Sequence, residues 1–353
     1  MTKLVKVSVG VAFLTAVVAV LIVGATGLPA VGGLTKQRAV AAIVNAGQAA
    51  EAQVAVTVTE LPLQKTEGPF KASGVGEAGI KSGVLATPLD VTVTRTTGRL
   101  RSLFRDIGYE IDGVRTHGEV PRLFLTSLLE DLRQQPRADL RKTIFIKSTL
   151  PLILRANELI LQDRGRLTSL RNQVIDGELL SEQDRLWLNK MADSYGSKTA
   201  SPADLLTHVD IIPPSLAIAQ SAEESGWGTS RFAREGNALF GQRVYKAHQK
   251  GLVPKGLPEG ASFRIRAFDH LIDGVKSYAH NLNSHPAYRD FREARADMRT
   301  EKASISGYSL AGTLTRYSER GADYIKALRV IMRVNTLSSF DDAKLDGSSA
   351  PDV

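Results

Sequence analysis

The chain contains no cysteine among its 353 residues, which excludes disulfide bonds, thiolate nucleophiles and zinc–sulfur sites. Its six histidines show no H-E-x-x-H or comparable ligand spacing, so a metal site is not expected. The sequence also has no P-loop, dinucleotide fingerprint or G-x-S-x-G elbow, and no cofactor is predicted. There is no run of five or more lysines or arginines and no recognition motif, which argues against nucleic acid as a partner.

The overall composition is that of an ordinary globular protein, with 43% hydrophobic and 23% charged residues. The length allows one sizeable core with extra segments, or two modest domains. A net charge of +8 favours an anionic partner such as a wall polymer or lipid headgroups.

The N-terminus carries a long run without charge. Lys3 and Lys6 precede Val7–Leu34, in which no charged residue occurs. With its Ala/Gly-rich flank this run reaches the about 20 residues that span a membrane, and the lysines favour an orientation with the N-terminus inside. Residues 1–35 are therefore predicted to be a signal anchor, inserted in the cytoplasmic membrane through residues 7–31, or a cleaved signal peptide. The rest would be periplasmic or otherwise extracytoplasmic, and secreted if the segment is cleaved.

Residues 36–115 differ in character from the remainder of the chain. VAVTVTEL (54–61) and LDVTVTRTT (89–97) alternate Val with Thr or Ala, which is the period of a half-buried strand. The stretch between them is rich in Gly, Ala and Ser. This region is predicted to be a linker or a small β element without chemistry of its own.

A helical pattern begins at Val120, and residues 116–200 are predicted to form a helical part that precedes the main domain. Apolar residues in PRLFLTSLLEDLRQ have helical spacing, and Pro151 is predicted to kink or break the next helix. Further helices are expected to start at a capping box in Ser181–Asp184 and at Ser201-Pro202.

Residues 201–336 are predicted to form the main domain, followed by a disordered tail at 337–353. Pro213-Pro214 introduces a short helix that Gly226 can end. The alternating FRIRAF within residues 242–268 favours a small hairpin-like lobe. The remaining predicted helices cover residues 274–295, 309–317 and 320–335.

Two adjacent carboxylates, Glu223 and Glu224, end the helix introduced by Pro213-Pro214, in the stretch SAEESGWGTSRFAREGNALFGQ (221–242). The carbonyl end of a helix disfavours an anion, and burial by Trp227 and Phe240 would raise a carboxyl pKa further. An acid that is protonated near neutral pH can protonate the leaving oxygen of a glycosidic bond. Adjacent helical residues point about 100° apart, and local physics alone does not choose between the two glutamates.

Other side chains of the same stretch suit a carbohydrate cleft. Trp227 and Phe240 offer apolar surface for sugar rings, while Asn237 and Gln242 could bond hydroxyl or acetamido groups. The alternative is that both glutamates form a solvated helix end and that Trp227 belongs to the core.

The stretch 211–242 strongly resembles the glucosaminidase domain of bacterial Bax-type proteins and of the flagellar peptidoglycan hydrolase, in glycoside hydrolase family 73. That family's pattern A-Q-x-x-x-E-S-G-W-G-x-S is met from Ala219 to Ser230, and its catalytic glutamate falls on Glu224. The following G-N-N-L-F-G pattern is met at residues 236–241, except that Ala238 replaces the second Asn.

The resemblance extends over about 215 residues, 120–335. LTRYSERGADYIKAL (314–328) is similar to the family's Y-A-T-D-x-x-Y element with one extra residue between its tyrosines. By that match Tyr317 lines the cleft beside the acid, and Tyr324 is a candidate substrate contact.

The resemblance implies a mainly helical, lysozyme-like domain with a small β-hairpin lobe that cleaves β-1,4 bonds after N-acetylglucosamine in peptidoglycan. Glu224 would be the general acid/base, and Tyr317 would orient or stabilise the reacting substrate. The second carboxylate would be Glu259, unless it is only a solvated hairpin residue and the substrate's acetamido group attacks instead. A lytic transglycosylase and a non-catalytic wall-binding scaffold are the alternatives.

Overall fold

The computed structural model describes residues 89–90, 96–256 and 263–347, which all belong to one compact unit. The predicted membrane segment, the strand at 54–61 and Glu259 lie outside these residues. Within the described ranges, no helix combines the length and the apolar character that crossing a membrane requires.

Helices dominate the described residues. The α-helices are α1 Thr97–Asp106, α2 Ile111–His117, α3 Ala138–Ile175, α4 Glu182–Tyr195, α5 Pro202–His208, α6 Pro214–Ser225, α7 Arg231–Gly236, α8 Leu271–Ser284, α9 Arg289–Thr300, α10 Gly307–Leu310 and α11 Ala322–Val334. Single 3₁₀ turns cover Leu132–Gln134, Pro286–Tyr288, Ala311–Thr313 and Leu337–Phe340.

The strands are short. They are β1 Leu89–Asp90, β2 Glu119–Val120, β3 Leu123–Phe124, β4 Arg243–Val244, β5 Gly251–Leu252, β6 Arg264–Arg266 and β7 Lys344–Leu345. An antiparallel sheet in the order β4-β6-β5 forms the predicted lobe, while β1 pairs with β3 and β2 with β7 in parallel. This mainly helical arrangement with a small sheet fits the lysozyme-like class.

Pro151 was predicted to kink or break its helix, and helix α3 contradicts the break. The helix runs through this proline without interruption. All residues from Ile144 to Leu154 are buried, so packing on every side stabilises a helix that has lost one backbone hydrogen bond. Helices α5, α6 and α8 all pack against α3.

Three other predicted helices also differ from the structure. The stretch after Val120 forms β3 and a 3₁₀ turn, although its apolar residues have helical spacing. The single helix expected over residues 274–295 is divided into α8 and α9 at His285-Pro286, because a residue before proline disfavours the helical conformation. The helix expected over residues 309–317 is the short α10 followed by a 3₁₀ turn.

The predicted helix starts at Ser181 and Ser201 are confirmed. The Ser181 hydroxyl accepts a hydrogen bond from the Asp184 backbone N–H at 3.1 Å, and α4 follows. Pro202 occupies the first turn of α5, where its missing N–H costs nothing.

The folded unit extends beyond both ends predicted from the sequence. Residues 97–117 form α1 and α2 rather than a linker or β element, and Leu100 and Phe104 are buried in the main core. At the other end, residues 337–347 are not a disordered tail, because Leu337 and Phe340 are fully buried and β7 pairs with β2.

Asp341, in that supposed tail, fixes the start of α6. Its carboxylate accepts hydrogen bonds from the Ser215 backbone N–H at 2.8 Å and the Ser215 hydroxyl at 2.9 Å. It also accepts one from the Gly307 N–H at 3.1 Å, so it joins the starts of α6 and α10. A carboxylate at this position is favoured by the unpaired N–H groups of a helix N-terminus.

Helix α6 is surrounded by protein on every side. Every residue from Pro214 to Ala222 is buried, and the helix packs against α3, α10, α11 and the 3₁₀ turn Leu337–Phe340. Its Ala and Ser residues leave room for these neighbours. The buried helix carries Glu223 and Glu224 to the surface only at its last turn.

A buried arginine holds the α5–α6 connection to α8 and α9. Arg295 is fully buried, and burial lowers its pKa to about 10, so it remains charged at neutral pH. Its terminal nitrogens donate to the carbonyls of Thr207, His208, Asp210 and Ile211 and to the side-chain oxygen of Asn283.

Replacing this arginine with Arg295→Met should destabilise the fold by at least about 3 kcal/mol, because several buried acceptors lose their donor. Urea unfolding of the full chain measures the loss. Arg289→Met, which removes an exposed arginine paired with Glu293 on the same helix, is the control and should leave the midpoint nearly unchanged. Equal midpoints for both variants would contradict a structural role for Arg295.

Candidate active site

The last turn of α6 is ended by three consecutive left-handed residues. Gly226, Trp227 and Gly228 have φ angles of 58°, 57° and 77°. The two glycines adopt this conformation without strain, and a Cβ on Gly228 would lie 3.0 Å from Leu128 and Phe145. The Ser225 hydroxyl accepts the Gly228 N–H at 2.8 Å and closes the turn. The motif S-G-W-G therefore specifies how the helix end is packed beside Glu224.

The structure separates the two adjacent glutamates. Glu223 forms an ion pair with Arg320, with 2.5 Å between Oε1 and Nη1. Glu224 instead accepts a hydrogen bond from the Tyr324 hydroxyl at 3.0 Å, and it lines a cavity of about 210 Å³. Glu223 is thus held as the partner of a cation, and Glu224 is the carboxyl in contact with the cavity.

Burial raises the pKa of Glu224 to about 7. The bond from Tyr324 acts in the opposite direction because it stabilises the anion, while the negative charge of Glu223 raises the pKa and the positive charge of Arg320 lowers it. The sequence predicts this direction from burial together with the helix end. At neutral pH a substantial fraction of Glu224 therefore carries a proton.

A group of tyrosines surrounds the Glu224 carboxyl. Tyr317 stacks on Tyr324 with ring centroids 5.5 Å apart and 7° between planes, and Tyr288 lies 5.8 Å from Tyr317. Burial, together with the charge of Glu224, raises the pKa of Tyr317 and of Tyr324 well above the usual range. Their hydroxyls therefore stay neutral and can donate hydrogen bonds.

Three of the predicted site residues line the same cavity as Glu224. Tyr317 is half-buried there. Phe240 stacks on Tyr278 at 3.8 Å with nearly parallel rings. The Gln242 side chain bonds Ser277, accepting from its hydroxyl at 2.8 Å and donating to its carbonyl at 3.2 Å.

The other predicted contacts lie elsewhere. Trp227 is half-buried beside the core, where it packs edge-on against Phe145 with Lys142 over its ring. It does not line this cavity, and its stacking on a sugar stays a prediction. The Asn237 side chain is buried and donates to the carbonyls of Phe268 and Asp269, which anchors the lobe. Tyr324 is 1% exposed, so it reaches Glu224 from behind and does not face the cavity.

Several residues of the site were not anticipated. Three buried residues lie beside Glu224, namely Gln220, Tyr278 and Tyr288. Arg320 pairs with the adjacent carboxylate of Glu223. Gln220 belongs to the matched motif and could have been noted from that. Tyr278 and Tyr288 stand at the tyrosine positions of the family pattern that residues 263–292 resemble, and they could have been noted in the same way.

The cavity wall is basic. Arg243, Lys246, Arg266 and Arg316 line it, and Glu224 is the sole carboxylate of the wall among described residues. Across residues 89–90, 96–256 and 263–347, no group of three or more His, Asp or Glu side chains is placed so that it could hold a metal ion.

Fold and site together define a lysozyme-like domain with a half-buried acid at the end of its central helix. The family described as Glucosaminidase, Mannosyl-glycoprotein endo-beta-N-acetylglucosaminidase, matches residues 202–336. The match to this family supports the function of a peptidoglycan-related hydrolase and suggests a glycan substrate.

A curated relative carries the comparison beyond that domain. Over 205 residues the chain is 34% identical to Protein bax of Escherichia coli (strain K12). The aligned stretch covers 56% of this chain and 71% of that protein. The chain belongs to the Bax-type proteins with a glucosaminidase domain. No solved structure matches it.

Raising the pKa of Glu224 in the folded state makes stability depend on pH. The folded protein binds this proton more tightly than the unfolded chain, so the contribution is complete below the usual value of 4.5 and is lost as pH rises through about 7. Glu224→Gln should therefore raise the melting temperature at pH 8 but not at pH 4.5. The gain in free energy should be roughly 3 kcal/mol at most.

Scanning calorimetry of the full chain across this pH range measures the effect. Glu301→Gln, at an exposed glutamate, controls for the loss of one negative charge. A Glu224→Gln variant that is no more stable than the wild type at pH 8 would mean that the carboxyl is well solvated.

Proposed function

We propose that the chain is an endo-β-N-acetylglucosaminidase that cleaves β-1,4 bonds in the glycan strands of peptidoglycan. The observation that carries this proposal is a single carboxyl, Glu224, which is half-buried at a cavity wall and whose pKa is raised to about 7. Such a group can donate a proton to the leaving glycosidic oxygen and then accept one from the incoming nucleophile.

Tyr317 is proposed to assist at the reacting sugar. It lines the cavity, it is neutral, and its stacking on Tyr324 fixes its ring beside the acid. In this position its hydroxyl could orient the acetamido group or the attacking oxygen.

The second half of the reaction has three candidate nucleophiles. A water activated by Glu259, which lies outside the described residues, gives hydrolysis. The substrate's own acetamido group also gives hydrolysis and needs no second carboxylate. The 6-hydroxyl of the muramyl sugar gives a lytic product. Glu224 would serve as acid in all three.

The basic wall supports peptidoglycan as the substrate. Peptidoglycan carries carboxylates on its peptide stems, and four cationic side chains around the cavity would attract them. We also propose that the protein lies outside the cytoplasm, as this substrate does, and the charge-free N-terminal run is the feature that supports this location.

Glu224→Gln should lower the release of fragments from sacculi by about 100-fold or more, because an amide cannot donate the proton. Glu223→Gln is the matched control, since it alters the neighbouring carboxylate, and it should keep most of the activity. Product ends identified by mass spectrometry separate hydrolysis, which leaves reducing N-acetylglucosamine, from the lytic route, which leaves anhydro-muramyl ends. A wild-type protein that binds sacculi and releases nothing would be a scaffold.

Removing one cavity charge should weaken substrate binding. Arg316→Gln in a Glu224→Gln background should bind sacculi about threefold less tightly at low salt, and this difference should disappear at high salt. Arg333→Gln removes the same charge from an exposed helical position outside the cavity. Equal loss of binding in both variants would show that only the net charge matters.

A further inference from the structure

Three polar side chains form a continuous hydrogen-bond relay behind Glu224. The Tyr278 hydroxyl donates to Oε1 of Gln220 at 2.7 Å. Nε2 of Gln220 donates to the Tyr324 hydroxyl oxygen at 3.1 Å, and Tyr324 donates to Oε1 of Glu224 at 3.0 Å. Each of the three is at most 1% exposed, so water does not compete with these bonds.

The direction of this relay is determined at its far end. The described residues offer the Tyr278 hydroxyl proton no acceptor other than Oε1 of Gln220. Because an unpaired buried donor is costly, the Gln220 carbonyl must face Tyr278 and its NH₂ group must face Tyr324. An amide has a donor end and an acceptor end, so Gln220 transmits the direction from one tyrosine to the other.

The orientation of Gln220 determines which hydrogen bond the Tyr324 hydroxyl accepts and which it donates. Its oxygen already accepts the Gln220 bond, and its one proton is therefore directed at Glu224. Oε1 of Glu224 is then an acceptor, and an acidic proton on this carboxyl belongs on Oε2. Consecutive bonds in one direction also polarise each other and strengthen the final donor.

We propose that Gln220 and Tyr278 are positioning residues that act through Tyr324 to hold Oε1 of Glu224 as an acceptor, so that the transferable proton is delivered from Oε2. The inference rests on the proposed function, since it describes the state of the same acid. Neither Gln220 nor Tyr278 is proposed to touch the substrate.

The ring stacking around the relay supports its role in placing the acid. Tyr278 stacks on Phe240 and Tyr324 stacks on Tyr317, and both partners line the cavity. The relay is therefore held between the core and the cavity wall, and its tyrosines have little freedom to turn away.

The decisive experiment is a titration of Glu224 that does not depend on activity. The full chain is labelled with ¹³C-glutamate, and the Glu224 side-chain signal is assigned by its absence in Glu224→Gln. Gln220→Leu removes both amide bonds and Tyr278→Phe removes the bond that sets the direction. Since the Tyr324 bond lowers the Glu224 pKa, both variants should titrate at higher pH than the wild type.

Kinetics provide the second measurement. In both variants the alkaline limb of the kcat/KM profile on sacculi should move to higher pH, and the plateau should fall about fivefold as the proton loses its fixed position. Tyr195→Phe is the matched control, because it deletes another buried tyrosine hydroxyl away from Glu224. It should leave both the titration and the pH profile unchanged.

The outcomes separate this inference from the proposed function. Folded variants that titrate like the wild type would overturn the relay, even if the protein is an active glycosidase. A wild type without activity would overturn the proposed function, while the titration would still test the relay. If Gln220→Leu fails to fold, Tyr278→Phe alone decides, because it removes a single hydroxyl.

Discussion

The site depends on the desolvation of one carboxyl at the end of a helix that is buried everywhere else. Helix α6 has small and aliphatic side chains on all faces, so four neighbouring elements can close around it. Its polar ends then have to be satisfied within the protein. Asp341 does this at the first turn, and the left-handed turn from Gly226 to Gly228 does it at the last. Burial of the Glu224 carboxyl raises its pKa to about 7, so a substantial fraction keeps its proton at neutral pH.

Two different environments act on two adjacent and chemically identical side chains. Glu223 pairs with a guanidinium and is stabilised as an anion, whereas Glu224 accepts a hydrogen bond from a neutral tyrosine hydroxyl and has its pKa raised by burial. Arg320 thus also limits the repulsion that Glu224 would feel if its neighbour were unpaired. The division of roles comes from residues roughly one hundred positions away in sequence, in the segment before α11 and in α11 itself.

Much of this could be predicted from the sequence where the signal was local. The prolines at the start of α6, the glycine at its end and the capping of α4 are signals carried by residues within a few positions of each other. The lobe was predicted from the local alternation in FRIRAF, although its strands pair over about twenty positions. The helical spacing after Val120 was misleading, because the strand there is determined by pairing with a distant partner, β1. The predicted break at Pro151 is wrong for a related reason, because burial around α3 outweighs one missing backbone hydrogen bond.

The site shows the same limit. A sequence motif names residues that belong together, but it does not say which of them face the substrate. Trp227 and Asn237 support the turn and the lobe, and Tyr324 supports the acid from within the core. The contacts that join Gln220 to Tyr278 and Tyr324 bridge 58 and 104 positions, and nothing in a local pattern reports them.

The position of Asp341 limits where the chain can be truncated without loss of a contact to α6. The family match ends at residue 336, five positions before the carboxylate that secures the first turn of the central helix. A fragment trimmed to the matched interval would contain the acid and the cavity wall yet lack that anchor. Transfer of this glucosaminidase domain to another chain would therefore have to carry the segment through residue 347 along with it.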